Sequence, residues 1–182
     1  MKKIYLTLLC LGLASCSVKN NLAYRPITEQ QPENSIQVRV SEFIDTRKKP
    51  QNIGCYRNLY GMPIVSIKTE ENVSEWVSSA LSQELKLAGF SFAEDSKYEI
   101  QGSIQELYCD VYFKFGGKVH LKVRVLEEGN EIFLKSYYAN IKGHGLTGEN
   151  PRTPVTSLEE NLQSVYKEVI ADLRSEVFHL DD

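Results

Sequence analysis

Cysteine, histidine and tryptophan are scarce, with four, three and one among 182 residues. No C-x-x-C pair is present, which removes a thioredoxin-type redox centre. His120, His144 and His179 stand far apart, with no H-x-x-x-H, H-E-x-x-H or Cys/His grouping, so no metal is expected. A G-x-S-x-G elbow is missing as well. One literal G-x-G-x-x-G does occur at residues 143–148, but Glu149-Asn150-Pro151 and Pro154 prevent a helix from starting at its third glycine. Too little chain remains there for a βαβ unit with its ribose-binding acid, so a nucleotide site is rejected. The expectation is a protein with no cofactor and no catalytic residues. Basic residues are in deficit too, 21 against 24 acidic for a net charge of −3. That balance supplies no electrostatic reason to bind nucleic acid.

Long apolar runs are also lacking, apart from a short one at residues 4–14 that follows Lys2 and Lys3. It falls short of the roughly 20 apolar residues that cross a bilayer, and reads as the charged and apolar regions of a secretory signal. The run ends in Leu13-Ala14-Ser15-Cys16, and a small pair before a cysteine resembles a bacterial lipobox, in which the cysteine is acylated and becomes the first mature residue. Residues 1–15 are then the signal peptide, and their loss removes two lysines and no acid, leaving 19 basic against 24 acidic residues and a net charge of −5. Acyl chains on Cys16 would be the membrane attachment, stable if there are two or more. Ser17 after that cysteine resembles the pattern sorted to the outer membrane. The rest divides into a flexible tether at 16–34, polar and carrying Pro26 and Pro32, and a domain at 35–182. A flexible chain of that tether's length has an r.m.s. span of ~23 Å, leaving the domain free to reorient.

Within the domain, Ile36, Val38 and Val40 alternate with polar residues, which predicts a strand with one buried face. Residues 45–66 read as a long loop carrying a basic triplet, two prolines and two glycines. Asn72 caps a helix whose stripe includes Val73, Trp76, Val77, Leu81 and Leu85, and Gly89 ends it. Tyr98 to Phe113 is extended, with apolar parity that switches midway, so one residue near Gln105 or Glu106 must form a bulge. A three-residue turn at 115–117 would place Asp110 opposite Lys122 and Tyr108 opposite Arg124, all on the outer face away from the core. Residues 131–141 form a further strand of open register, and Ser157 with Glu160 suits the capping box of a last helix. The pattern predicts an α+β domain, with two helices packed on one face of a mixed or antiparallel sheet. Cys55 and Cys109 are a candidate disulfide, worth roughly 4 kcal/mol if formed, or else a loop thiol and a small buried strand residue.

Several short matches now fall in order: the lipobox, Asp45-Thr46-Arg47, Ala88-Gly89-Phe90, Glu106-Leu107-Tyr108-Cys109-Asp110-Val111, and Ser136-Tyr137 followed by Gly143. Together they resemble the YajG family of bacterial lipoproteins across roughly residues 36–178. The resemblance implies a fold and an envelope location, and transfers no active site. Cys55-Tyr56-Arg57 looks like an insertion relative to that family, and Cys109 stands where a small residue such as Ala is usual. Two functions fit: a non-enzymatic binding or scaffold module facing the periplasm, or an accessory carrier of lipid or glycolipid between membranes. Partners are the membrane, through Cys16, and an unidentified envelope protein or lipid, with oligomeric state left open. Tyr56, Arg57 and Tyr60 are the candidate partner-binding residues, because aromatics and arginine concentrate binding energy and these have no evident core duty.

Overall fold

The alternation from Tyr98 onward builds a 14-residue strand, and most of the sheet assembles on it. The computed structural model describes residues 17–34, 36–145 and 153–180. Strands β1 (Ser17–Lys19), β2 (Gln37–Val40), β3 (Ile44–Asp45), β4 (Asn52–Arg57) and β5 (Pro63–Lys68) precede helix α1 (Val73–Leu87). Then come β6 (Ser91–Phe92), β7 (Tyr98–Val111), β8 (Lys114–Glu127), β9 (Asn130–Ala139), β10 (Lys142–Gly145) and helix α2 (Pro154–Asp172). A π-helical turn at Leu173–Val177 continues α2. One edge of β7 pairs antiparallel with β8, while the other takes β2, β3 and β4 in succession, all parallel. β8 pairs onward with β9 and β10, β4 with β5, and β5 with β1, so the described strands join one mixed sheet.

The predicted bulge is present: register shifts between Ile104 and Glu106, leaving Gln105 extra. Its effect is to keep Ile100, Ile104, Leu107, Cys109 and Val111 all on the buried face. The turn differs from expectation. Val111 faces Phe115 and Leu107 faces Val119, so the chain reverses at 112–114 rather than at 115–117. Glycine at 117 answers to packing instead: a Cβ there would lie 2.4 Å from Asn161 Nδ2 and 2.7 Å from the Ser157 carbonyl oxygen of α2. In the observed register Asp110 faces Gly116 and Tyr108 faces Lys118, not Lys122 and Arg124.

Both helices cover one face of the sheet, as predicted for an α+β domain. Asn72 Oδ1 accepts from the Ser74 and Glu75 backbone N–H groups at 3.0 and 3.4 Å, and Gly89 stops α1 at φ +88°. Val77, Leu81 and Leu85 are fully buried, and each such side chain contributes about 1.5–3 kcal/mol. α2 starts a turn earlier than the Ser157/Glu160 spacing suggested. Thr153 is its cap, Thr156 reciprocates, and Pro154 occupies the first turn, where its missing N–H costs nothing. Leu158, Leu162, Val165 and Tyr166 face inward, and the Tyr166 hydroxyl donates to the Val77 carbonyl at 2.7 Å, joining the two helices. The register left open for β9 is now set: Tyr137 and Ala139 face α2, and Leu134 and Tyr138 face away.

Residues 17–34 are not a free tether in this structure. β1 adds to the sheet edge, with Ser17 opposite Ser66 and Lys19 opposite Lys68. The chain then crosses the helices. Ile27 and Thr28 donate their backbone N–H groups to the Glu84 carboxylate at 2.9 Å each, and the Tyr24 hydroxyl donates to it as well. Arg25 N–H donates to Glu159 at 2.6 Å, and Gln163 returns a bond to the Arg25 carbonyl. Gln31 and Asn34 bond the Leu87 and Gly89 carbonyls at the end of α1. Polar composition suggested a segment that cannot order itself by burial. Buried carboxylates on the helices order it instead, because charge-assisted hydrogen bonds to backbone N–H groups replace the missing apolar area.

Residues 45–66, expected as a loop, contain β4, most of β5 and the turn between them. The lead-in is clasped by the Asp45-Thr46-Arg47 segment at the β7 bulge. Thr46 Oγ1 donates to the Ile104 carbonyl at 2.7 Å. The Arg47 guanidinium pairs with Asp45 and donates to the carbonyls of Pro50, Asn52 and Leu107, with only 9% of its side chain exposed. This short motif is therefore a structural clasp that sets β4 beside β7.

Candidate functional site

Because α1 and α2 share one face, the other face of β7, β8 and β9 stays open. Its cross-strand rows follow from register: Gln101, Arg124 and Leu134 form one, and Ser103, Lys122 and Ser136 the next. Glu106, His120 and Tyr138 form a third, with the His120 and Tyr138 rings 6.2 Å apart. A groove of about 390 Å³ lies at one end, lined by Ser41, Ile44, Gln101, Lys122, Arg124 and Leu134 among others. Arg124 is held by Gln101, its Nε donating to Oε1 at 2.9 Å. The groove offers cationic donors, the carboxylates of Glu42 and Glu131 and exposed apolar surface, a mixture suited to binding. Among the described residues no group of three His, Cys, Asp or Glu is placed to hold a metal.

The same face ends in a cluster around Asp110. Arg57 Nε donates to Asp110 Oδ1 at 2.7 Å and its Nη2 to Oδ2 at 3.2 Å, while the Cys55 thiol donates to Oδ1 at 3.2 Å. Burial holds the Tyr108 phenol above its ordinary range, with Cys55 and Asp110 beside it adding to the shift. Arg57 Nη1 also donates to the Gly61 carbonyl at 2.8 Å, fixing the turn beyond β4.

The three candidate partner residues have different fates. Tyr56 registers with Val111 and rests half-buried against the core, so it is structural. Arg57 is committed to Asp110 and the turn. Tyr60 alone is free of such duty, 87% exposed at the tip of the β4–β5 hairpin. Next to it are Leu59, Met62 and Ile64, also exposed, and the neighbouring β7–β8 turn adds Tyr112 and Phe113. Sequence reasoning missed this grouping, whereas strand parity had already put Asp110, Lys122 and Arg124 on the face away from the core. The turn at 112–114 changes which residues pair across β7 and β8 but not which face they point to.

The candidate disulfide is not formed. Cys55 registers with Asp110, and Cys109 with Gly54. Cys109 and Asp110 are consecutive on one strand and point to opposite faces, so the two thiols lie on opposite sides of the sheet. Both are free and buried, and a bridge would require the backbone to be rebuilt. Burial pushes the Cys109 thiol up to about 12, and burial raises Cys55 too. Cys16 lies outside the described residues, as do 146–152 of the glycine-rich segment. No described helix is long and apolar enough to cross a membrane.

Comparison with known proteins supports the fold. A family described as uncharacterized lipoprotein matches residues 25–175. No curated protein matches the chain. Among solved structures, a protein of family DUF330 from Xanthomonas campestris is similar, with TM-score 0.62 and 11% identity over 86% of this chain and 94% of that one. A hypothetical protein from Chlamydia trachomatis has TM-score 0.53 and 10% identity, covering 78% and 97%. A PelC variant from Paraburkholderia phytofirmans, solved as a dodecamer, has TM-score 0.50 and 12% identity, covering 80% and 95%. At such identities the likeness is one of fold alone.

Proposed function

The chain belongs to the uncharacterized lipoprotein family, and from that premise we propose that it is a non-enzymatic binding module of the bacterial envelope. It is held by acyl chains on Cys16 at the outer membrane and faces the periplasm. The observation that carries the reading is the helix-free sheet face. Folding spends the apolar stripes of both helices on the other side and leaves Lys122, Arg124, Leu134 and Tyr138 presented together on rigid strands. Strands hold such groups at fixed spacing, which lowers the entropy lost when a partner docks. Arg57 and Asp110 close the end of that face. The carrier alternative needs an apolar chamber of acyl-chain size. Here the layer between helices and sheet is filled by Leu81, Leu85, Leu121, Leu158 and Tyr166, all fully buried, which favours binding over carriage.

The test replaces Lys122, Leu134 and Tyr138 together by Glu, Ser and Ala. Native purification of the membrane-extracted protein should then lose its co-purifying envelope partner, while the thermal midpoint moves little, because all three side chains point to solvent. Unchanged co-purification would move the docking surface elsewhere.

A further inference from the structure

Two hairpin tips meet at one end of the sheet and put apolar side chains into solvent there. Leu59 and Tyr60 are 74% and 87% exposed, and Met62, Ile64 and Phe113 are each more than half exposed. The tip is rigidly built. Asn58 Oδ1 accepts from the N–H groups of Tyr60 and Met62, both at 3.0 Å, and Gly61 turns the chain at φ +77°. The Tyr112 hydroxyl donates to the Leu59 carbonyl at 2.7 Å and ties the second tip to the first. A contiguous exposed apolar patch on an ordered scaffold marks an interaction surface.

The path of the N-terminal strand says what that surface meets. β1 runs parallel to β5, with Ser17 opposite Ser66, so the N-terminal end of β1 is the end toward the start of β5. Cys16 is one peptide from Ser17, its Cα about 3.8 Å away. Ser66 is three residues past the start of β5, which is about 10 Å of strand. An acyl group on Cys16 would therefore enter the bilayer beside the hairpin tips, one residue from the sheet. Charge agrees with this placement. Residues 56–65 and 111–118 carry Arg57, Lys114 and Lys118 and no acid, in a chain whose net charge is −3. Arg57 pairs with Asp110 and Lys118 with Glu106, so with Lys114 these groups leave no net negative charge at this end of the sheet.

We propose that the paired tips, Leu59, Tyr60, Met62, Ile64 and Phe113 with Lys114 beside them, are a membrane foot that inserts into the headgroup region of the anchoring leaflet. The foot sets one end of the sheet on the bilayer and holds the open face upright, roughly 40 Å of β7 separating the far end from the lipid. Tyr and Phe are suited to that depth because the interface accepts an apolar ring with a polar edge. Insertion so close to the anchor is effectively intramolecular, so a patch too small to bind membranes alone is sufficient here.

This rests on the lipid-anchor reading, and the experiment separates the two. The full-length mature protein is purified from membranes as Y60W and, separately, as E94W, which lies just before β7 at the opposite end. Each is reconstituted into vesicles of phosphatidylethanolamine and phosphatidylglycerol with brominated acyl chains. Added emission from Y60W should shift to the blue and be quenched by bromine, while that from E94W should match the free-solvent value; the buried Trp76 background is common to both. Equal, weak quenching of the two variants in protein carrying acyl mass would overturn the foot and leave the anchor standing. A blue shift without bromine quenching would place a protein surface over the tip, a second copy or another chain, and would overturn it too. Absence of acyl mass on the mature N-terminus would instead remove the anchor on which both readings depend.

Discussion

Residues 17–34 start beside the β4–β5 hairpin, where β1 pairs with β5, and then leave it for the helices, and the two segments are held by opposite chemistry. The N-terminal segment offers backbone N–H groups, and carboxylates on the helices take them: Glu84 accepts from Ile27 and Thr28, and Glu159 from Arg25. The hairpin and its lead-in offer carbonyls, and guanidinium groups take those: Arg47 donates to Pro50 and Asn52, and across to Leu107 of β7, and Arg57 donates to Gly61. Each segment is too irregular to satisfy its backbone by a full ladder. Each borrows two charged side chains, whose lone pairs or protons satisfy the backbone groups that a ladder would otherwise take. The consequences differ. The N-terminal segment is drawn down onto the helices although most of its side chains stay exposed, whereas the hairpin projects, and its tip gathers apolar side chains in solvent.

The comparison breaks most severely at Arg47. Changing it to Ala leaves Asp45 without its partner, with 8% of that side chain exposed, and strands three carbonyls. The loss should be about 3–5 kcal/mol, the usual result of removing one member of a buried pair. Thermal unfolding of Arg47→Ala measures it, and a midpoint within a degree or two of the parent would show that the clasp contributes little.

Glu84→Ala attacks the other side. Glu84 is only 1% exposed, and its removal leaves the N–H groups of Ile27 and Thr28 and the Tyr24 hydroxyl without an acceptor. A loss of about 3 kcal/mol is expected from bonds to a charged group. The sharper readout is local. Amide exchange at residues 24–28 should accelerate in Glu84→Ala and stay slow in Arg47→Ala under folded conditions, and equal acceleration in both would deny that the two segments are held separately.

The smallest effect lies outside both segments and serves as their reference. Hydrogen bonds from Ser41 and Gln101, together with the Arg39 guanidinium, hold the Glu99 carboxyl below its ordinary value. A depressed folded pKa stabilises the protein fully above the unfolded value of about 4.3, and that contribution is lost as pH falls through the folded value. Glu99→Gln should therefore flatten the acid limb of the stability curve below about pH 4 and leave residues 17–34 and the hairpin protected. A steeper acid limb in Glu99→Gln would contradict the direction of the shift.

Elements with strong periodicity were legible from the residues alone. The α1 stripe with its Asn72 cap and Gly89 stop, the apolar face of α2, and the bulge at Gln105 all follow from side-chain spacing, because burial of one face imposes that spacing locally. The α+β class and the shared face of the helices followed from the order of elements. Tertiary structure decided what local pattern leaves open. The β7–β8 turn moved to 112–114 because Gly117 is needed against α2, a contact with residues some forty positions away. Cys55 and Cys109 were parted because the β4–β7 register offsets them by one residue, and one residue is the difference between two faces of a sheet. The order in residues 17–34 could not be read from their own composition, since the groups that hold them belong to β5 and the two helices. Sequence patterns report what a segment can bury by itself, while the partners of a backbone N–H or carbonyl are chosen only when distant segments meet.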